Sequence, residues 1–544
     1  MKKTDIAFFC LSTAVILFLN LYPLVKLARR APSGRTYALI HNNVQDFYLY
    51  QSLMNEGATG SWLIYDPYTT EAHRSSIIFS FFTVLGKISR IFNLPYALTY
   101  HAARITGSLL FFLAAATAIR KLKIPHSNIA YFFFLFASPF LTSKNISGAI
   151  TEIPFMYWWT GMDAVRRAAY LPHHMFGGFL LIVSVILVNA FIKSTKKVHL
   201  VFLSLTAILM AYLHTPSLFI LLIILPPAVL IYLAVKKNLS ISGLFGLAAF
   251  WIIGFVSLAL MVSQSNRGFP WSQYLEWEKT LQYPVMEELA GSFGLLLPLA
   301  ILGTLAAFAS GRFSRILVAC WFAVPLLLLP FAPMLNISNI RLIQGIPFLT
   351  LGMLAVLGTE VIIRLVLKLI SVFINQPLSK KQKLIFPVNR FVYAILIVLF
   401  SLSVYPTIAW SVKDQIREYT PIFGNTYLDN RLQYVFSFIK DRYPAKIIVL
   451  ATFYTGNYLP VYTHTLSFIG HTSYTANISM KEKAVMRFFE NKMTQGEAEK
   501  FLRDNKIRLV FQGPEEKPLF KGLLYPEILK PVYREDVANV YEVK

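Results

Sequence analysis

The chain has 544 residues, 56% hydrophobic and only 14% charged, whereas soluble globular proteins run near 45–50% apolar and about a quarter charged; with a mean hydropathy of +0.55 it reads as a polytopic membrane protein. The formal charge of +24 does not point to nucleic acid, because the Lys/Arg clusters sit in short loops between apolar runs, where membrane topology explains them. Cys10 and Cys320 both fall inside hydrophobic segments, which excludes a disulfide framework and a cysteine metal site.

The N-terminal run MKKTDIAFFCLSTAVILFLNLYPLV imitates a signal peptide. Its apolar part is long and no small-residue cleavage site follows, so it is expected to be a retained first span. A span needs about 20 predominantly apolar residues. Candidates are 6–26, 99–119, 126–143, 174–192, 198–213, 216–235, 241–262, 290–309, 314–333, 342–366 and 390–410, about eleven in all. Segment 75–94 carries Lys87 and Arg90 within a helical pattern, which suits a helix lying on or re-entering the interface.

Topology tests that choice. With Met1 cytoplasmic and 75–94 not crossing, the cytoplasmic loops are RKLK (120–123), KSTKK (193–197), KK (236–237), the Arg312/Arg315 turn and a basic stretch ending in SKKQK (379–383). All are Lys/Arg-rich, as the positive-inside rule demands; only KLARR (26–30) falls on the other side. The outer face then holds loops 27–98, 144–173 and 263–289, together with the C-terminus. From residue 411 charges become frequent and apolar runs shrink to strand length. An amphipathic helix (DNRLQYVFSFIKDRY), a buried strand (446–452), a turn at TGNYLP, helices near 480–492 and 495–505, and strands 508–513 and 537–543 are expected. The organisation is thus a membrane domain over 1–410 and a small outer α/β domain over 411–544.

Reactive side chains gather in the first outer loop. Asp46, in VQDFYLYQSLMNEG, sits where a short interfacial helix would present a carboxylate, the group a weakly nucleophilic hydroxyl needs as general base; an ordinary helix-capping aspartate is the competing reading. In YDPYTTEAHR (65–74), Asp-Pro forms a turn and Thr70 can cap a helix beginning near Ala72. Glu71, His73 and Arg74 cluster at the lip of an apolar helix, where ionisable groups are costly without a polar task. They are candidate ligand contacts, or parts of the loop's own structure. In the second loop Arg166 and Arg167 suit a phosphate. His173 and His174 open a span behind Pro172, each a phosphate or hydroxyl contact or else a satisfied structural histidine. Arg341, in NISNIRLIQGIPFL, enters a span from the outer side and either snorkels or pairs with an anion such as a lipid phosphate. No Walker A, strand-linked GxGxxG, HExxH or GxSxG motif is present.

One span followed by a long outer loop with an early acid resembles the GT-C superfamily of integral membrane glycosyltransferases. GSWLIYDPYTTEAHR (60–74), YLPHHMFGG (170–178), RLIQGIPFL (341–349) and GNYLP…GHTSYT (456–475) resemble pieces of a bacterial multi-pass group within it. The resemblance implies inverting transfer of a sugar from a polyprenyl-phosphate-linked donor to a glycan, lipid or protein acceptor, outside the cell membrane. By position Asp46 matches the family's first-loop acid, its expected base, and Arg341 the late positive residues that hold the donor phosphate, helped by Arg74, His173 or His174. Glu71 and His73 join these as substrate contacts. Many relatives carry an Asp-Glu pair or a second acid in the next outer loop, often with a metal. Here Phe47 follows Asp46, and the second loop offers Glu152 and Asp163 without a motif, so a divalent metal has no ligand set in the sequence. GNYLP and GHTSYT, with His471, would shape an acceptor site or brace the loops. The rival reading is a transporter or flippase of lipid-linked sugars, which places its charges at mid-membrane; here they lie at outer span ends and in loops. A non-enzymatic envelope assembly protein is the third.

Overall fold

The computed structural model describes residues 3–236, 239–344, 348–373, 382–420 and 424–544. Residues 345–347 of the RLIQGIPFL motif and residues 379–381 of the SKKQK stretch lie outside them. The protein is mostly helical. Among the described residues seven helices are long and apolar enough to cross a membrane: Lys3–Arg29, Tyr96–Lys121, Pro172–Ser194, Thr215–Lys236, Ile241–Arg267, Phe313–Phe331 and Val388–Glu418. An eighth crossing results if Val285–Phe293 and Leu296–Ala309, bent by 94° at their junction, act as one. Each matches an expected span.

The chain divides into two compact units, residues 1–22, 104–261 and 277–414 forming one, and 23–103, 262–276 and 415–544 the other. In the first, helices Leu296–Ala309 and Phe348–Phe373 touch backbone to backbone at Gly303 and Gly358. A Cβ on Gly303 would stand 1.9 Å from the Leu354 carbonyl oxygen, the small-residue contact by which apolar helices pack without a hydrophobic driving force. The stretch expected as a single span over 126–143 instead gives a ten-residue helix, Ser127–Phe136, and then a hairpin of Leu141–Ile146 with Ala149–Pro154. Pro139 disfavours helical geometry at the residue before it. Ser147 and Gly148, both at positive φ, supply the two-residue turn that matches strand twist.

The second unit carries residues 27–98, expected as the first outer loop. Its helix Val44–Ala58 forms where expected, but the next helix starts at Phe81, not near Ala72, so Thr70 caps nothing. Helix Phe81–Phe92 buries Phe82, Leu85 and Ser89 and exposes Ile88, Ile91 and Phe92, the two faces of an interfacial helix. It crosses Val44–Ala58 at Gly57 and Gly86, where a Cβ would meet Thr83 O at 2.1 Å and Met54 O at 1.8 Å. Lys87 donates to Gly60 O at 2.9 Å and Arg90 to Ala58 O at 3.1 Å. These charges therefore serve the carbonyl end of the neighbouring helix.

Residues 424–544 hold a five-stranded mixed sheet in the order Leu466–Ser467, Ile448–Leu450, Ile507–Gln512, Asn539–Val543, Leu529–Arg534. The first three strands run parallel and the last two pair antiparallel. Phe468, Val485, Phe488, Leu502 and Val510 fill the core beneath it. Two strands, 466–467 and 529–534, carry no sequence signal. TGNYLP, expected as a turn, lies inside helix Phe453–Tyr462 despite Pro460. Glu516, fully buried, accepts from Thr452 N at 2.8 Å, Thr452 Oγ1 at 2.6 Å and Gly513 N at 2.8 Å, which ties that helix start to the sheet.

Candidate functional site

Asp46 stands in the first turn of Val44–Ala58 without being its cap. Asn43 takes that role, its side chain accepting from Gln45 N at 2.8 Å and Asp46 N at 3.2 Å. The carboxylate is thus released from local backbone work, and the helix N-terminus favours its negative charge. It is 37% exposed and faces His471, whose Nε2 lies 3.2 Å from Oδ1. Oδ2 has no hydrogen-bond partner among the described residues.

The segment Gly470–Thr475 that brings His471 here is held against the first loop. Thr472 N donates to Gln45 Oε1 at 2.9 Å and Thr475 Oγ1 to Tyr68 O at 3.1 Å. Tyr68 OH in turn donates to Asn457 O at 2.8 Å. Tyr474 lies near two acids: burial above all, then the charges of Asp66 and Asp46, push its hydroxyl well above the ordinary tyrosine range.

In the 65–74 loop Asp66 is buried and accepts from Tyr68 N at 2.7 Å, while its own N–H donates to His73 Nε2 at 3.0 Å. His73 Nδ1 therefore carries the ring proton and faces Glu71 O at 2.8 Å. Both ring nitrogens are engaged, Tyr65 stacks on the ring at 3.9 Å, and burial lowers its affinity for a second proton. Lys481, itself buried, meets Glu71 Oε1 at 2.8 Å, and Thr69 bonds the other oxygen. Burial alone would raise the Glu71 carboxyl; the Lys481 bond and charge and the Thr69 bond outweigh it and hold it below its usual value. Arg74 differs. Its carbonyl accepts from Trp271 Nε1 at 2.7 Å, but its side chain is exposed and has no partner among the described residues.

The other unit gathers its own cluster. His173, His174 and His214 have ring centroids 4.6, 4.1 and 6.0 Å apart. His214 Nδ1 meets Ser217 Oγ at 2.8 Å, while its Nε2 is buried with no hydrogen-bond partner among the described residues. Arg341 lies within electrostatic reach of His174 and His214. It is bonded through Nε to Glu278 Oε1 at 2.5 Å, with a second contact from Nη2, and lies 4.8 Å over the Trp277 ring. Neither second-loop arginine waits for a phosphate: Arg166 pairs with Asp414 at 2.5 Å, and Arg167 donates to the carbonyls of Met162 and Ala137 at 2.8 and 2.7 Å. Asp163 caps the helix Ala164–Ala168 and Glu152 is exposed on its strand. Among the described residues no three His, Cys, Asp or Glu side chains are placed to hold a metal.

Tyr474, His214, Glu278 and Lys481 escaped the sequence reading, which named His471 only with GHTSYT, as shaping an acceptor site or bracing the loops. GHTSYT was visible as a motif, but nothing local says that its histidine meets an acid in the first loop.

No protein-family model matches the sequence, and no curated protein matches it. Solved structures do. The archaeal oligosaccharyltransferase AglB from Archaeoglobus fulgidus, in complex with an inhibitory peptide and a dolichol-phosphate, superposes with a TM-score of 0.54 at 11% identity over 100% of this chain and 74% of that one. The same enzyme tethered to an acceptor peptide containing the NVT sequon gives 0.54 at 12%, with the same coverage. ArnT from Cupriavidus metallidurans bound to undecaprenyl phosphate gives 0.48 at 12% over 99% and 98% of the two chains. At these identities the likeness is one of fold: the chain is an integral membrane protein that shares the fold of the archaeal oligosaccharyltransferase.

Proposed function

We propose that this protein is a membrane glycosyltransferase that moves a sugar from a polyprenyl-phosphate donor to an acceptor hydroxyl on the outer face, with Asp46 as general base. The observation that carries this reading is the state of Asp46: relieved of capping by Asn43, held at Oδ1 by His471 and open at Oδ2. Oδ2 takes the proton of the acceptor hydroxyl as its oxygen attacks the anomeric carbon from the face opposite the phosphate. The bond from that carbon to the phosphate oxygen breaks, and its electron pair leaves with polyprenyl phosphate, so the anomeric configuration inverts. Cations facing the leaving phosphate lower the barrier by meeting charge as it develops. From the sequence, Arg341, Arg74, His173 and His174 are the candidates for that task, and of these Arg74, in the same unit as Asp46, is exposed with no side-chain partner among the described residues. Glu71 and His73 shape the rim that presents Arg74.

The donor class is supported by the fold shared with an oligosaccharyltransferase whose structure holds a dolichol-phosphate. This reading keeps about eleven membrane segments, with Lys197–Leu213 and Phe348–Phe373 added to the seven long helices and the bent pair, and with Ser127–Phe136, about 15 Å long and too short to cross alone, as a partial crossing. The N-terminus is then cytoplasmic, the membrane domain covers 1–410, and residues 411–544 are an outer α/β domain.

Purified protein incubated with a panel of undecaprenyl-phosphate-linked hexoses and pentoses, plus envelope extract as acceptor source, tests the reaction. Release of undecaprenyl monophosphate from at least one donor is expected. Movement of intact donor across vesicles without consumption would contradict it.

A further inference from the structure

We propose that His471 is the positioning residue for Asp46, clamping Oδ1 so that Oδ2 alone faces the acceptor. The inference rests on the reading of Asp46 as the base, and its own argument is geometric. Ser473 N–H points at His471 Nδ1 at 3.1 Å, so that nitrogen is an acceptor and the ring proton sits on Nε2. Nε2 is the atom 3.2 Å from Asp46 Oδ1. The tautomer that makes His471 a donor is therefore set by its own turn, independently of the acid it serves.

The donor is fixed in space as well. The His471 side chain is 6% exposed, against 37% for Asp46. Its ring packs between Tyr474 at 4.9 Å and Tyr68 at 6.0 Å. The segment is anchored one residue later to Gln45, the neighbour of Asp46 in sequence, through Thr472 N, and at Thr475 to the Tyr68 carbonyl. Two adjacent residues of the turn thus grip two adjacent residues of the helix. A short side chain in the first turn of a helix otherwise swings freely between solvent and backbone N–H groups; here one oxygen is held and the other is left free. Misplacing a reacting group by about 1 Å costs on the order of 10²-fold in rate.

The experiment uses the full-length protein and compares His471→Ala, His471→Gln, Asp46→Asn and the double variant His471→Ala/Asp46→Asn. Turnover is read on the undecaprenyl-phosphate-linked sugar that wild type consumes, and the Asp46 conformation by cryo-EM of His471→Ala and His471→Gln. The glutamine amide nitrogen reaches about where Nε2 does and donates likewise. His471→Ala is expected to lower kcat about 10²-fold with KM little changed, His471→Gln to recover most of it, and the double variant to be no slower than Asp46→Asn, since residues acting as one unit are not additive. The Asp46 carboxylate keeps its place in His471→Gln and moves in His471→Ala. If His471→Ala does not fold, the glutamine variant decides: folded but as slow as Asp46→Asn, it overturns the proposal. So do full kcat in His471→Ala, additive losses in the double variant, or an unmoved Asp46 without the histidine. Full activity in Asp46→Asn would instead overturn the assignment of the base itself.

Discussion

Asp66 shows what a single burial does to a charge. It is 2% exposed, and burial pushes its carboxyl up to about 8 against the opposing pull of the Tyr68 N–H bond. An acid whose pKa is higher folded than unfolded holds more protons in the native state. Its contribution to stability is full below the unfolded value and is lost as pH rises towards the folded one. The window therefore runs from the ordinary 3.8 to about 8. Asp66→Asn keeps the acceptor for Tyr68 N–H and removes the titration, so its Tm advantage over wild type should widen as pH climbs through that window; two parallel Tm profiles would contradict this. Arg341 makes the complementary case. Both it and Glu278 are largely buried, so Glu278→Ala removes the carboxylate paired with Arg341 and should cost up to about 3–5 kcal/mol in chemical denaturation, whereas Glu278→Gln, which keeps an acceptor, should cost less. Asp46, Arg74, His173, His174 and Arg341 stood out in the sequence as candidates because charge is rare near apolar runs. The partners of Asp46 and Arg341 did not. His471 meets Asp46 across 425 residues, a separation over which no periodicity or spacing carries information.

Elements that follow one periodicity were the readable part of the fold. The seven long spans and the amphipathic helix Phe81–Phe92 came from apolar length and from Lys87 and Arg90 within it. Two kinds of element were hidden. Short apolar runs fit helix and strand alike, so 126–143 concealed a hairpin behind Pro139. Strands of two or six residues, such as Leu466–Ser467 and Leu529–Arg534, take their register from neighbours and not from pattern. TGNYLP is helical because Gly456 and Asn457 serve tertiary contacts: Ser467 Oγ bonds Gly456 O at 2.7 Å, and Tyr68 OH bonds Asn457 O. The sharpest test at this level is the crossing of Val44–Ala58 with Phe81–Phe92. Gly86→Val drives its side chain into the Met54 carbonyl and should destabilise the protein by about 1–3 kcal/mol or more, lowering Tm and, by moving the helix that bears Asp46, turnover. An unchanged Tm would mean that the two helices do not touch there.

For the molecule as a whole, composition established a membrane protein, and its fold is one shared with the archaeal oligosaccharyltransferase AglB. The proposed chemistry depends on a carboxylate that would face an acceptor without being spent on its own helix. The pattern of Lys and Arg in the loops bears on sidedness and leaves catalysis to few groups, so one carboxylate carries most of the functional claim. The most direct measurement is turnover of the polyprenyl-phosphate-linked sugar that wild type consumes, compared with a folded Asp46→Asn variant of equal Tm. Loss of a general base predicts a fall in kcat of about 10²–10⁴-fold with donor binding retained. Wild-type kcat in Asp46→Asn would contradict the account.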